Sequence, residues 1–282
     1  MPRSPKSRGV SRRDLLQGVA AAAIGAATGA AAHGYAYERH RVEVTWETLH
    51  VSGLPSALAG LRVGLLTDLH RSDTVPHALI ARAVHLMMRE APDIIVLGGD
   101  YVTWGNRRYV IPAAEALSPL DAPHGVFAVL GNHDDDRDMP AALLATGVAV
   151  LRDARTRLKI RGEILDLAGI RYWTRRTADI AHVLRGASPN VVLLAHNPLR
   201  LTEAAALGVP LVLSGHTHGG QVVLPGIGAV AAREFPVISG RGRLESTEIF
   251  VSRGVGTVYV PLRLNCPPEA AILTLQPVMP VV

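Results

Sequence analysis

The chain has 282 residues, of which 29 are Lys or Arg and 24 are Asp or Glu, with 48% hydrophobic residues and one cysteine. That length and apolar share exclude a disordered or low-complexity chain and suffice for one large core, and a lone cysteine excludes an internal disulfide. Five basic residues (Arg3, Lys6, Arg8, Arg12, Arg13) against Asp14 fall in the first 32 positions, so the remainder holds 24 basic and 23 acidic residues and nucleic-acid binding loses its electrostatic basis.

The chain opens with a twin-arginine pattern, Ser11-Arg12-Arg13-Asp14-Leu15-Leu16, followed by an Ala- and Gly-dominated run over 15–32. So weakly apolar a run suits a twin-arginine signal better than a spanning helix, with an uncleaved anchoring helix as the alternative. Ala30 and Ala32 are small enough for a signal peptidase cutting near His33. Residues 1–32 are therefore expected to be signal or anchor, and 33–282 one domain. Export would make the twin-arginine translocase a partner and place the product in the periplasm or at the outer face of the inner membrane.

Val42, Val44, Trp46 and Thr48 alternate as an edge strand should. An apolar strand over 61–67 precedes a helix over 76–90 that starts at a proline and carries Leu79, Ala83, Leu86 and Met87 at helical spacing. Strands at 94–97 and 126–130 alternate with helices at 109–117 and 139–146. The second half is richer in strands, at 158–160, 165–170, 191–195, 211–214, 222–224, 249–251, 258–260 and 271–275, with one helix at 177–185. The pattern predicts an α/β chain of two packed mixed sheets with helices outside.

Five of these strands end in ligand-type residues: Asp68 and His70, Asp100, Asn132 with His133 and Asp134, His196, and finally His216 and His218 before two glycines. Ligands bind at the carboxyl edge of such sheets. Two carboxylates, one amide and four imidazoles can hold two divalent ions if one carboxylate bridges. The mixed oxygen and nitrogen set, free of thiolate, selects manganese, iron or zinc over magnesium or calcium. Paired ions clamp a phosphoryl group and lower the pKa of bound water.

Asp68-x-His70, Gly99-Asp100, Gly131-Asn132-His133-Asp134, His196 and Gly215-His216-x-His218 resemble, in order and spacing, the calcineurin-like metallophosphoesterases. The resemblance implies a four-layer αββα sandwich and assigns Asp68, His70 and His218 to one metal and Asn132, His196 and His216 to the other, with Asp100 bridging. It makes His133 the residue that stabilises the transition state or protonates the leaving oxygen, and Asp134 its orienting partner. Segments 194–198, 214–225 and 251–256, with Pro261-Leu262-Arg263, are similar to a bacterial branch of exported phosphoesterases acting on phospholipids or nucleotide-linked lipids. The resemblance implies a phosphodiesterase or phosphatase of the cell envelope, with a phosphoester substrate, lipid-linked among the options, and contact with the membrane surface. Two alternatives stay open: a membrane-attached pyrophosphatase of nucleotide-diphosphate lipids facing the cytoplasm, and an inactive binding protein of the same fold.

Ser252-Arg253-Gly254-Val255-Gly256 reads as a tight turn or as a phosphate loop in which Arg253 grips substrate. Trp104 and Trp173 read first as core anchors and second as pocket lining. Cys266 reads as a buried packing residue, and the arginine clusters at 152–161 and 171–176 as solvated faces.

Overall fold

The computed structural model describes residues 11–278. Arg3, Lys6 and Arg8 of the basic leader lie outside them. In chain order the elements are α1 (Arg12–Ala36), β1 (Glu43–Val51), β2 (Leu61–Leu66), α2 (His77–Arg89), β3 (Ile94–Leu97), α3 (Val110–Leu117), β4 (Val126–Ala128), α4 (Met139–Ala145), β5 (Ala149–Val150), β6 (Ala154–Ile160), β7 (Glu163–Gly169), α5 (Thr177–Val183), β8 (Val191–Leu194), α6 (Leu201–Ala206), β9 (Leu211–Ser214), β10 (Val223–Leu224), β11 (Gly228–Ala229), β12 (Gly240–Leu244), β13 (Thr247–Val251) and β14 (Glu269–Pro277).

Two six-stranded mixed sheets form, in the orders β1-β14-β2-β3-β4-β5 and β12-β13-β9-β8-β7-β6. Within them β2, β3 and β4 run parallel, as do β7, β8 and β9. The apolar runs are continuous because both faces of these strands are covered. Val63, Leu65, Ile94, Val96, Val192, Leu194, Leu211 and Leu213 point into the seam between the sheets. The alternate residues Leu66, Ile95 and Leu97 point outward to Ile80 and Ala83 of α2, Ala113 of α3 and Leu143 of α4. On the other sheet Leu193 and Val212 meet Ile180 of α5 and Leu201 of α6. Alternation along each strand thus builds the expected αββα layering.

Several expectations fail locally. Residues 258–260 are not a strand: Val260 N–H bonds to the Val258 carbonyl at 2.7 Å, Leu262 N–H to the Val260 carbonyl at 2.8 Å, and Tyr259 has φ 61°. These tight turns, ahead of Pro261, leave no extended ladder. The segment at 222–224 supplies only the two-residue β10, paired with β11 in a hairpin. Edge strand β12 and helix α6 escape sequence reading, the first because Gly-Arg-Gly-Arg-Leu lacks strand-forming residues and the second because it spans only six residues. Trp104 and Trp173 are exposed rather than core anchors, since each sits on a loop at the sheet edge. Cys266 is buried as expected.

The arginine cluster on β6 is tethered. Arg155 and Arg157 both bond the fully buried Asp166 of β7, which also accepts the Ser188 backbone N–H. Burial opposes the charge of Asp166, yet these donors hold its carboxyl below the usual carboxylate value. Asp166→Ala is expected to cost about 2–3 kcal/mol in urea unfolding, because two cations lose their shared anion. That contribution is complete above the ordinary carboxylate range near pH ~4 and is lost as pH falls through the lowered folded value, so the gap between wild type and variant should close on acidification.

Candidate metal centre

The seven predicted ligands converge where the two sheets present their carboxyl edges. Asp68 and His70 follow β2, Asp100 follows β3, Asn132 follows β4, His196 follows β8, and His216 and His218 follow β9. Backbone bonds lash these loops together: Asp68 N–H to the Gly99 carbonyl at 2.8 Å, His70 N–H to the Asp100 carbonyl at 2.9 Å, and Gly215 N–H to the His196 carbonyl at 3.1 Å. Asp68 (φ 54°), His70 (48°), Asp100 (57°), His216 (72°) and His218 (52°) all adopt the left-handed conformation. Non-glycine residues rarely do so without surrounding structure that enforces it, and such strain concentrates at functional sites. The close packing explains two glycines: a Cβ at Gly131 would overlap the Asp100 carboxylate, and one at Gly215 the side chains of Thr67 and Asp68.

The side chains fall into two groups, Asp68 with His70 and His218, and Asp100 with His196 and His216, with ligand atoms inside each group within 4.8 Å of one another. Imidazole Nε2 atoms of His70 and His218 face each other at 3.1 Å. The Nδ1 of His196 meets the Gly98 carbonyl at 2.7 Å, which turns its Nε2 inward, where that atom has no hydrogen-bond partner. The buried Oδ1 of Asn132 is likewise unpartnered. Asp100 Oδ1 accepts the His133 backbone N–H at 2.8 Å, while Oδ2 lies 3.5 Å from His70 Nε2 and 3.2 Å from His196 Nε2. That one oxygen therefore stands between the two groups.

Burial tunes the donors. It pushes His70 and His216 down to about 3 and His218 well below the ordinary imidazole value, leaving them in the neutral, ligating form. Burial pushes Asp68 up to about 6. Burial opposes the charges of both Asp100 and His196, but their mutual attraction wins, holding Asp100 well below the carboxylate range and His196 up at about 10. Three neutral imidazoles, two carboxylates, an orphaned amide oxygen and the His196 ring, which a bound cation would strip of its proton, fit divalent cations; this donor set accommodates two.

His133 is buried at the edge of this centre, its ring 4.9 Å from that of His70. Its Nδ1 accepts the Trp104 backbone N–H at 3.1 Å, so the neutral ring carries its proton on Nε2. Burial lowers its pKa, which favours that neutral ring. Asp134 does not orient it. The Asp134 carboxylate instead accepts the backbone N–H groups of Asp100 and Gly131 at 2.8 Å and of Tyr101 at 2.7 Å, fastening the β3 and β4 loops together.

Arg253, the expected substrate grip, is already engaged elsewhere. Its guanidinium turns to Glu269 and Thr45, both at 3.1 Å, on strands β14 and β1. The backbone N–H groups of Val255 and Gly256 are taken by the carbonyls of Thr67 at 3.0 Å and Asp68 at 2.7 Å, so the glycine loop buttresses the first ligand and cradles no phosphate. Gly254 and Gly256 are small because Asp68 and Leu69 press on them. Sequence reading placed Arg263 only within a closing segment. It is fully buried and fastens the carbonyls of Arg253, Gly254, Gly256 and Cys266, and nothing in its sequence context distinguishes it from a surface arginine.

Comparison with known proteins agrees with this geometry. A phosphodiesterase of Escherichia coli, YaeI, is 32% identical across 94% of this chain and 99% of its own length. The Bacillus subtilis metallophosphoesterase YkuE is 31% identical across 95% of this chain and 98% of its own. A bovine transmembrane protein with a metallophosphoesterase domain is 29% identical across 83% of this chain and 57% of its own length. The family model described as calcineurin-like phosphoesterase matches residues 61–220, the stretch that delivers every one of the seven ligands. On the motifs, the sheet edge they share and these matches, the chain belongs to the calcineurin-like phosphoesterases, metal-dependent enzymes that use two divalent ions.

Proposed function

We propose that the chain hydrolyses a phosphoester at the cell envelope, with Asp68, His70 and His218 holding one ion, Asn132, His196 and His216 the other, and Asp100 bridging. The position of Asp100 Oδ2 between the two groups carries this reading. When bound, the two ions withdraw charge from the phosphoryl oxygens and acidify an attacking water. The chain's own part is to orient and to move a proton. Water oxygen joins phosphorus, the ester P–O bond breaks, and the leaving oxygen, hydrogen-bonded by the Nε2–H that His133 presents, departs as an alcohol carrying a proton released by the attacking water. The substrate enters above His133 and Trp104, whose rings lie 4.3 Å apart.

Support for the envelope comes from α1. It is the one helix among the described residues long and apolar enough to cross a membrane, with mean hydropathy 1.5 over its most apolar stretch. Its Leu15, Leu16, Val19 and Ile24 are exposed, whereas Gly34 in its last turn and Glu38 just beyond it are buried. A signal cleaved after Ala32 would leave the docked part in place, and a retained anchor would use the whole helix; the twin arginines favour the signal.

One study tests both halves of the proposal. Purified full-length chain loaded with manganese, iron or zinc is expected to hydrolyse soluble mono- or diesters and to stop when chelated, and fractionation is expected to show Arg12→Lys with Arg13→Lys retained in the cytoplasm. Two bound ions with no hydrolysis of any phosphoester would leave only a binding protein.

A further inference from the structure

A cavity of about 510 Å³ lies on the His133 side of the centre, and the hydrolytic chemistry leaves it unassigned. Two of its walls lead to the reacting groups. The Thr103 hydroxyl meets His70 Nδ1 at 3.2 Å, and the Trp104 ring lies 4.3 Å from that of His133. The rest of the lining is divided, polar along 72–74 with Asn106 and Thr257, and apolar along 258–261 apart from the Tyr259 hydroxyl. A ligand that leaves with the oxygen beside His133 therefore passes directly into this space.

Its polar groups keep unused hydrogen-bonding capacity. Ser72 and Thr74 pair their hydroxyls at 3.2 Å, which leaves lone pairs on both. Asp73 accepts the Tyr109 hydroxyl on Oδ1, while its Oδ2 makes no hydrogen bond among the described residues. Asn106 accepts the Arg108 backbone N–H at 3.2 Å, and neither its amide N–H groups nor the Thr257 hydroxyl is bonded among those residues. A hydrocarbon occupant would strip these groups of water and give nothing back. A second phosphate would face the Asp73 carboxylate. A cationic head group finds that charge already matched, because the guanidinium groups of Arg71 and Arg108 lie over the adjoining Tyr109 ring at 4.8 and 5.5 Å. A nucleobase wants parallel rings to slide between, and Trp104 and Tyr259 meet edge-on, 5.4 Å apart at 66°. A sugar suits both halves of the lining. Its hydroxyls bond carboxylate, amide and alcohol groups, and its C–H faces lie against open aromatic rings such as Trp104 and Tyr259, 65% and 79% exposed.

Resting on the phosphoesterase reading above, we infer that this cavity binds the leaving alcohol and that the alcohol is a sugar. The substrate is a phosphoester of a monosaccharide hydroxyl, with Asp73, Asn106 and Thr257 on the other hydroxyls and Trp104 and Tyr259 against the ring. Water oxygen joins phosphorus and the bond from phosphorus to the sugar oxygen breaks. The sugar departs with a proton released by the attacking water, its oxygen hydrogen-bonded by His133 Nε2–H. Asp73 and Thr257 thus set specificity without touching the reacting atoms.

The test uses full-length, manganese-loaded protein and follows the released alcohol. Phosphates on the primary hydroxyl of glucose, galactose, N-acetylglucosamine and ribose are compared with hexyl phosphate, phosphocholine and uridine monophosphate. Each is offered as the monoester and as its methyl diester, beside a nitrophenyl phosphodiester. The best sugar ester is expected to exceed the hexyl ester at least about thirtyfold in kcat/KM, because a site built for hydroxyl groups rejects an analogue that lacks them. Asp73→Asn, which keeps an acceptor for Tyr109, and Thr257→Val, which keeps the shape, are each expected to cut that ratio about three- to tenfold. Two ions per chain report that each variant is folded. Equal use of sugar and hexyl esters, a preference for the choline or uridine ester over every sugar, or a ratio unmoved by both substitutions would overturn the inference and leave the phosphoesterase reading standing. No cleavage of any ester, the nitrophenyl one included, with two ions bound would remove both.

Discussion

Asp100→Asn is expected to lower turnover at least about 10²–10³-fold and to bring metal content below two ions per chain. Asparagine keeps the size of the residue and its acceptor for the His133 N–H at 2.8 Å, so the loop should hold its shape. What disappears is the negative oxygen that lies 3.5 Å from His70 and 3.2 Å from His196; Asp68 Oδ1 also faces both groups, at 3.3 Å from His218 but 3.9 Å from His196. Loss at both sites, measured by elemental analysis beside kcat, is the signature of a bridge. One ion retained at full occupancy would assign Asp100 to a single group.

His133→Ala is expected to do the opposite: both ions stay, and kcat falls about 10²–10⁴-fold with KM little altered. The reason is geometric. The ring nitrogen that could ligate on the Nδ1 side is occupied by the Trp104 N–H at 3.1 Å, and neither ligand group includes His133. If Nε2–H hydrogen-bonds the departing oxygen, the loss should be smaller for a nitrophenolate, which leaves without help, than for an alkyl ester. An equal loss for both would make the ring a stabiliser of charge on the phosphoryl group instead. Metal loss in this variant would refute the division of roles.

Much of this was legible in the chain because strand and ligand share one code. A strand buried on both faces is a plain apolar run, and the first polar residue after it marks the sheet edge, so Asp68, Asp100, His196 and His216 announced their own positions. Residues whose job depends on distant backbone gave no such sign. Arg263 looks like any surface arginine until four carbonyls close on it, and Arg253 looks like a phosphate grip until Glu269 claims it. Asp134 sits beside His133 in sequence, yet its carboxylate serves amides on two loops. Adjacency along the chain misled there because successive residues of a turn point in different directions. Trp104 and Trp173 misled for another reason: size predicts burial only where the backbone is not at the edge of the fold.

The five left-handed residues carry a consequence for how the centre comes into being. Each such turn costs about 1 kcal/mol, and five together approach the whole net stability of a modest domain. No short peptide copying these motifs would hold that conformation. The carboxylate of Asp134, the buried guanidinium of Arg263 and the lashed strand ends impose it as one cooperative unit, so the ligand constellation arises only once both sheets have closed on each other. Cation recognition in this chain thus depends on the two sheets being held edge to edge, and no single strand-end motif carries it.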